Sequence, residues 1–103
     1  AGLVAASPYD SVFHCHLGAV LYRLGDVDQA FVEYDAAIRY NIANVDALAG
    51  RGEIHFERGE IKQGIEDLQK AVELDEDGVH PASIRARALL LSLREEAMKT
   101  DNE

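Results

Sequence analysis

The sequence is poor in the residues that fix other fold classes: one cysteine, two prolines, one methionine and no tryptophan in 103 residues. A single Cys15 excludes an internal disulfide and suits a reducing compartment. Scarce proline, with abundant Leu, Ala, Glu, Ile and Arg, favours helix over sheet. No apolar run approaches the roughly 20 residues that a membrane-crossing helix needs. Residues 1–6 are apolar but have no basic stretch ahead of them, which argues against a signal peptide. Positive charge is also short, with 10 Lys and Arg against 19 Asp and Glu, a formal balance of −9. Such a field repels polyphosphates, so nucleic acid and anionic membrane surfaces are poor partners. What remains is a chain 48% hydrophobic, long enough for one small domain. It is expected to be soluble and cytoplasmic.

Chemistry-bearing clusters are equally scarce. His14-Cys15-His16 is the densest. Neighbours one and two apart on a helix point in different directions, so these three cannot close on one metal. A catalytic Cys15 needs a base from another turn, and His55 is the only candidate. No glycine-rich phosphate loop follows a strand. The expectation is therefore no enzyme, no cofactor and no metal.

The strongest positive signal is an internal repeat. Displaced by 34 residues, the segment 11–44 lies over 45–78. Gly18 meets Gly52, Gly25 meets Gly59, Gln29 meets Gln63 and Ala37 meets Ala71. Val20 with Ile54, Tyr22 with Phe56, Asp26 with Glu60, Val27 with Ile61 and Phe31 with Ile65 are near-matches. Each unit reads as two helices. Leu17, Leu21 and Leu24 form a stripe ended by Gly25-Asp26, where glycine ends one helix and the acid caps the next. Ala30, Tyr34, Ala37 and Ile38 make the inner stripe of the second helix. The next unit repeats this with Leu48, Gly52 and His55, the Gly59-Glu60 turn, then Gly64, Leu68, Ala71 and Val72. Small residues at fixed places let two antiparallel helices approach closely, and larger ones fill the space alongside.

These residues resemble the tetratricopeptide repeat, which has Leu-Gly early in its first helix, Gly at the turn, and Ala, aromatic, Ala along its second. Leu17-Gly18, Gly25, Ala30, Tyr34 and Ala37 fit closely. Arg51 stands in place of the usual Leu, Gly64 in place of Ala, and Ile42 and Glu76 where Pro is common. The resemblance implies an all-α fold: a solenoid of antiparallel helix pairs, with two full repeats and a C-terminal capping helix in one domain, 1–103. Residues 11–44 and 45–78 are the repeats. Residues 1–10 are read as the tail of a preceding repeat, which makes the chain truncated at its start, with Ser7-Pro8-Tyr9-Asp10 also readable as a helix cap. Residues 79–103 are read as the capping helix and tail, with Ile84, Ala88, Leu91 and Met98 facing one way. A missing repeat would leave Phe13, Val20 and Leu24 without a partner, which favours self-association.

The resemblance also implies a function. In this fold the first helix of each pair lines a concave groove that binds proteins or peptides. The groove positions are Val12, Cys15, His16, Ala19, Tyr22 and Arg23 in the first repeat. Asp46, Ala49, Gly50, Glu53, Phe56 and Glu57 correspond in the second. That surface suits an extended peptide with apolar anchors and a basic residue towards its C-terminal half; the competing reading packs Tyr22 and Phe56 inside the solenoid. Repeat proteins that hold the C-terminal carboxylate of heat-shock chaperones use Lys, Arg and Asn here. This chain has Cys15, Ala19, Gly50 and His80, with Glu53 and Glu57 to repel a carboxylate, so that role is disfavoured. Tyr9-Asp10-Ser11, Phe13, Leu17-Gly18-Ala19 and Gly25 are similar to the small chaperones of bacterial type III secretion, which shield an export-bound translocator segment in the groove. A generic scaffold or assembly subunit is the alternative.

Overall fold

A computed structural model describes residues 8–101, which form five helices: α1 (Pro8–Arg23), α2 (Val27–Tyr40), α3 (Val45–Glu57), α4 (Ile61–Leu74) and α5 (Pro81–Asp101). No strand occurs among the described residues. The expected tail of a preceding repeat falls largely on residues 1–7, outside the described residues.

The repeat is written most clearly in its turns. After α1, the Asp26 amide donates to the Leu21 carbonyl at 2.9 Å and the Gly25 amide to Tyr22 at 3.0 Å. After α3, Glu60 donates to His55 at 2.8 Å and Gly59 to Phe56 at 3.0 Å. These are two copies of one helix-ending motif, and each needs a residue with positive φ; Gly25 sits at 89° and Gly59 at 79°. Asp26 then caps α2 by accepting from the Gln29 amide at 3.2 Å. Glu60 does not cap α4 in this way. Its carboxylate is drawn back to His55 Nδ1 at 2.9 Å, so the acid after the second turn braces the helix behind it.

Between the helices of each pair the contact is made over glycine. A Cβ on Gly18 would lie 3.0 Å from the Tyr34 ring, and one on Gly52 would lie 3.0 Å from Leu68. The two contacts are the same one, 34 residues apart. Ala30, Ala37, Ala47 and Ala71 are fully buried at the other close approaches. Leu48, Ile54 and Leu68 fill the space between them and are fully buried too, each worth about 1.5–3 kcal/mol of apolar transfer. Leu24, expected in the α1 stripe, is 76% exposed; the stripe ends a turn earlier, at half-buried Leu21.

Two polar ties lock the pairs together. Ser11 Oγ donates to the Ala37 carbonyl and accepts from Asn44 Nδ2, both at 2.8 Å. Asn44 also caps α3 by accepting from the Ala47 amide at 3.0 Å, so one buried serine joins α1, α2 and the start of α3. Arg51, at a position the repeat normally fills with Leu, does the same for α2, α3 and α4. Its guanidinium grips Asp67 with two hydrogen bonds, at 2.7 and 2.8 Å, and Asp35 with a third at 2.9 Å. The fork geometry of arginine is what makes a three-helix tie feasible from one side chain.

The packing of α5 corrects the sequence reading. Ile84, Leu91 and Met98 are 50%, 53% and 56% exposed, and Ala88 is exposed as well. The buried face is Ala82, Ser83 and Ala86, flanked by half-buried Leu89 and Leu90. Ser83 and Ala86 follow Ala49 and Gly52, and before them Cys15 and Gly18, at 34-residue steps. α5 thus packs on α3 and α4 as α3 packs on α1 and α2. Close approach selects its small residues, so the larger apolar side chains stay outside.

Candidate functional site

Because α1, α3 and α5 occupy the same place in successive units, one side of each borders a common hollow of about 270 Å³. Cys15, His16, Ala19 and Arg23 come from α1, Asp46, Gly50 and Glu53 from α3, and Arg85 from α5. The floor is Tyr34 of α2. Its ring passes over Gly18, and its far end abuts Gly50, where a Cβ would lie 2.5 Å from Cζ. The glycine at 50 is therefore the condition for an aromatic ring to reach from one repeat to the next.

Of the groove positions read from the sequence, Cys15, His16, Ala19, Arg23, Asp46, Gly50 and Glu53 border this hollow. The others do not. Val12 is half exposed outside it, and Ala49 is fully buried, with no surface to offer a ligand. Phe56 turns into the α3–α4 contact, where a Cβ on Gly64 would lie 2.9 Å from its ring. Tyr22 and Glu57 hydrogen-bond to each other at the edge, joining α1 to α3. Tyr34 and Arg85 were not legible as groove residues. The signal for Tyr34 was the pair of glycines sixteen positions before and after it.

Electrostatics rule the hollow's chemistry. Burial pushes the Cys15 thiol up to about 11, helped by the nearby Asp46 charge. It stays protonated at neutral pH and is no nucleophile. Tyr34 is raised to about 12, chiefly by burial and then by the charges of Cys15 and Glu53, with Arg85 opposing. Glu53 is also pushed up by burial; Arg85 opposes that, and Glu57 adds to it. The Arg85 guanidinium reaches Glu53 only at 4.0 Å, and His80 lies 3.4 Å from Asp46. His14-Cys15-His16 disperses: His14 bonds Glu33 at 2.6 Å and stacks on Tyr40, Cys15 enters the core, and His16 is exposed. Among the described residues no group of three His, Cys, Asp or Glu is placed to hold a metal.

Comparison with known proteins supports the repeat. Residues 45–77, which span the α3–α4 pair, match the family model of the tetratricopeptide repeat. Those residues form a tetratricopeptide repeat. The chain is 30% identical over 63 residues to a TPR repeat-containing protein of Methanocaldococcus jannaschii, a match covering 61% of this chain and 11% of that relative. The chain thus spans a small part of that relative's length. No solved structure matches it. Tetratricopeptide repeats mediate protein–protein interaction, and no described helix is long and apolar enough to cross a membrane.

Proposed function

We propose that this chain is a tetratricopeptide-repeat interaction module that holds an extended segment of a partner protein in the hollow bordered by α1, α3 and α5. The observation that carries the reading is that seven groove positions, taken from the family's pattern, border one cavity floored by a tyrosine that bridges two repeats. At about 270 Å³ the cavity falls just below the roughly 300–1,000 Å³ of small-molecule sites, which favours peptide side chains over a free metabolite. Nothing in this reading involves a catalytic step. It places the protein in the cytoplasm, where Cys15 remains a thiol. Peptides enriched from a random display library should lose at least tenfold in affinity on Ala19→Arg, which fills the hollow from half-buried ground, with no change in thermal unfolding. Equal affinity for the wild type and this variant would refute the groove as the binding surface.

A narrower form of the same reading makes the module a secretion chaperone for translocator segments, supported by the Tyr9-Asp10-Ser11 and Leu17-Gly18-Ala19 resemblance. Co-expression should then keep such a segment soluble, and Ala19→Arg should return it to the pellet. A scaffold role is favoured instead by two exposed apolar stripes, Tyr9, Phe13 and Val20 on α1 with Leu24 in the turn after it, and Ile84, Leu91 and Met98 on α5. On that reading, sedimentation shows self-association that Phe13→Lys abolishes.

A further inference from the structure

The floor of the hollow ends in a hydroxyl that no described side chain partners. Tyr34 is only 7% exposed, and its hydroxyl makes no hydrogen bond to any described residue. Its Cζ end faces Gly50 at the wall of the cavity, so the oxygen opens into that space. Two carboxylates share the space. Glu53 is half-buried, and its charge is countered only by Arg85, whose head is 60% exposed and 4.0 Å away. Asp46 has His80 at 3.4 Å, a partner only when the imidazole is protonated. Glu57 adds further negative potential at the rim. Arg23, the other cation there, makes no ion pair among the described residues and stands exposed.

We infer that the hollow is a socket for one lysine or arginine side chain of the bound segment, an inference that rests on the groove reading above. The aliphatic stem lies against Ala19 and Gly50. The cationic head meets the Glu53 and Asp46 carboxylates and donates to the Tyr34 oxygen. An ammonium or guanidinium satisfies all three acceptors at once, whereas a carboxylate meets two like charges. Arg23, exposed at the rim, donates to the segment's backbone carbonyls, while Arg85 stays with Glu53. A side chain with an apolar tip leaves the tyrosine hydroxyl without a protein partner and the half-buried Glu53 with Arg85 alone, at 4.0 Å. Hydrogen bonds to charged groups contribute enough to set a preference of tenfold or more, which corresponds to about 1.4 kcal/mol.

The test uses the whole chain and peptides enriched from a random display library. Enriched peptides should share one basic position, and replacing it with norleucine should weaken binding at least tenfold. Glu53→Gln should shrink that ratio to threefold or less while leaving affinity for the norleucine peptide in place. Tyr34→Phe, which keeps the ring between the repeats, should lower the ratio too. As a direct probe, n-butylammonium chloride should shift the Tyr34 ring resonances, and sodium butyrate should not. Peptides that bind in the groove but tolerate norleucine, or prefer glutamate, overturn the socket and leave the groove reading standing. Peptides whose affinity ignores Ala19→Arg overturn both.

Discussion

Gly50→Ala adds one methyl group to the point where the two repeats meet. The new Cβ would lie 2.5 Å from Tyr34 Cζ and 2.8 Å from both Cε atoms, well inside the ~3.5–4.0 Å of ordinary carbon contact. The ring has little room to shift, because it also passes close over Gly18, where a Cβ would lie 3.0 Å from Cδ1. Overpacking of this kind costs about 1–3 kcal/mol. Alanine in place of glycine within a helix returns about 1 kcal/mol. The net expectation is a loss of up to ~2 kcal/mol, or up to about 15 °C in Tm for a domain of this size. The decisive comparison is a second background. In Tyr34→Leu the obstructing ring is gone, so Gly50→Ala should become neutral or stabilising by up to ~1 kcal/mol, a reversal of sign. Urea unfolding followed by far-UV circular dichroism on the four proteins gives both differences. If Gly50→Ala stabilises the wild-type chain, the ring does not cross from one repeat to the next and the proposed floor of the hollow is wrong.

Three further outcomes are expected. Asp67→Ala strands the Arg51 guanidinium on Asp35 alone and should cost ~3 kcal/mol, while the double change Arg51→Leu with Asp67→Leu should recover most of that loss, as measured by chemical unfolding. Cys15 holds its proton more tightly in the folded chain than in the unfolded one, which binds fewer protons once pH passes its ordinary value of 9.0. Stability should therefore be undiminished by this group below that pH and fall as pH rises from 9.0 towards about 11; Cys15→Ala should flatten this slope, and an unchanged slope contradicts the burial of the thiol. On α5, Ile84→Lys or Leu91→Lys should alter stability by no more than ~0.5 kcal/mol, whereas Ala86→Leu, at a fully packed position, should cost ~1–3 kcal/mol.

Much of the fold was legible because it depends on local rules. Gly25 and Gly59 announce positive-φ helix ends, and the 34-residue recurrence of Gly18 and Ala37 marks where helices touch. Other features depend on distances between elements, which periodicity does not carry. The expected apolar face of α5 turned out to be its outer one, because a pattern of large side chains does not reveal that Ala82, Ser83 and Ala86 bring the backbone closest. Phe56 and Tyr22 occupy equivalent places in the repeat, yet Gly64 makes room for Phe56 inside the pair, whereas the hydroxyl of Tyr22 reaches Glu57 at the edge. Arg51 read as a departure from the family pattern; its reason is visible only once Asp35 and Asp67 converge on it from two other helices. Tyr34 was read as an inner-stripe residue, which it is. That its far end also opens into the hollow follows from the approach of α3 at Gly50.

Intermolecular nuclear Overhauser contacts from an enriched peptide would settle where a partner sits. The expected pattern joins the methylenes of the peptide's basic residue to the Tyr34 ring and the Ala19 methyl. Contacts confined to Phe13 and Val20 of α1, or to Ile84 and Leu91 of α5, with none to Tyr34, would contradict it and move the binding surface to the outer stripes.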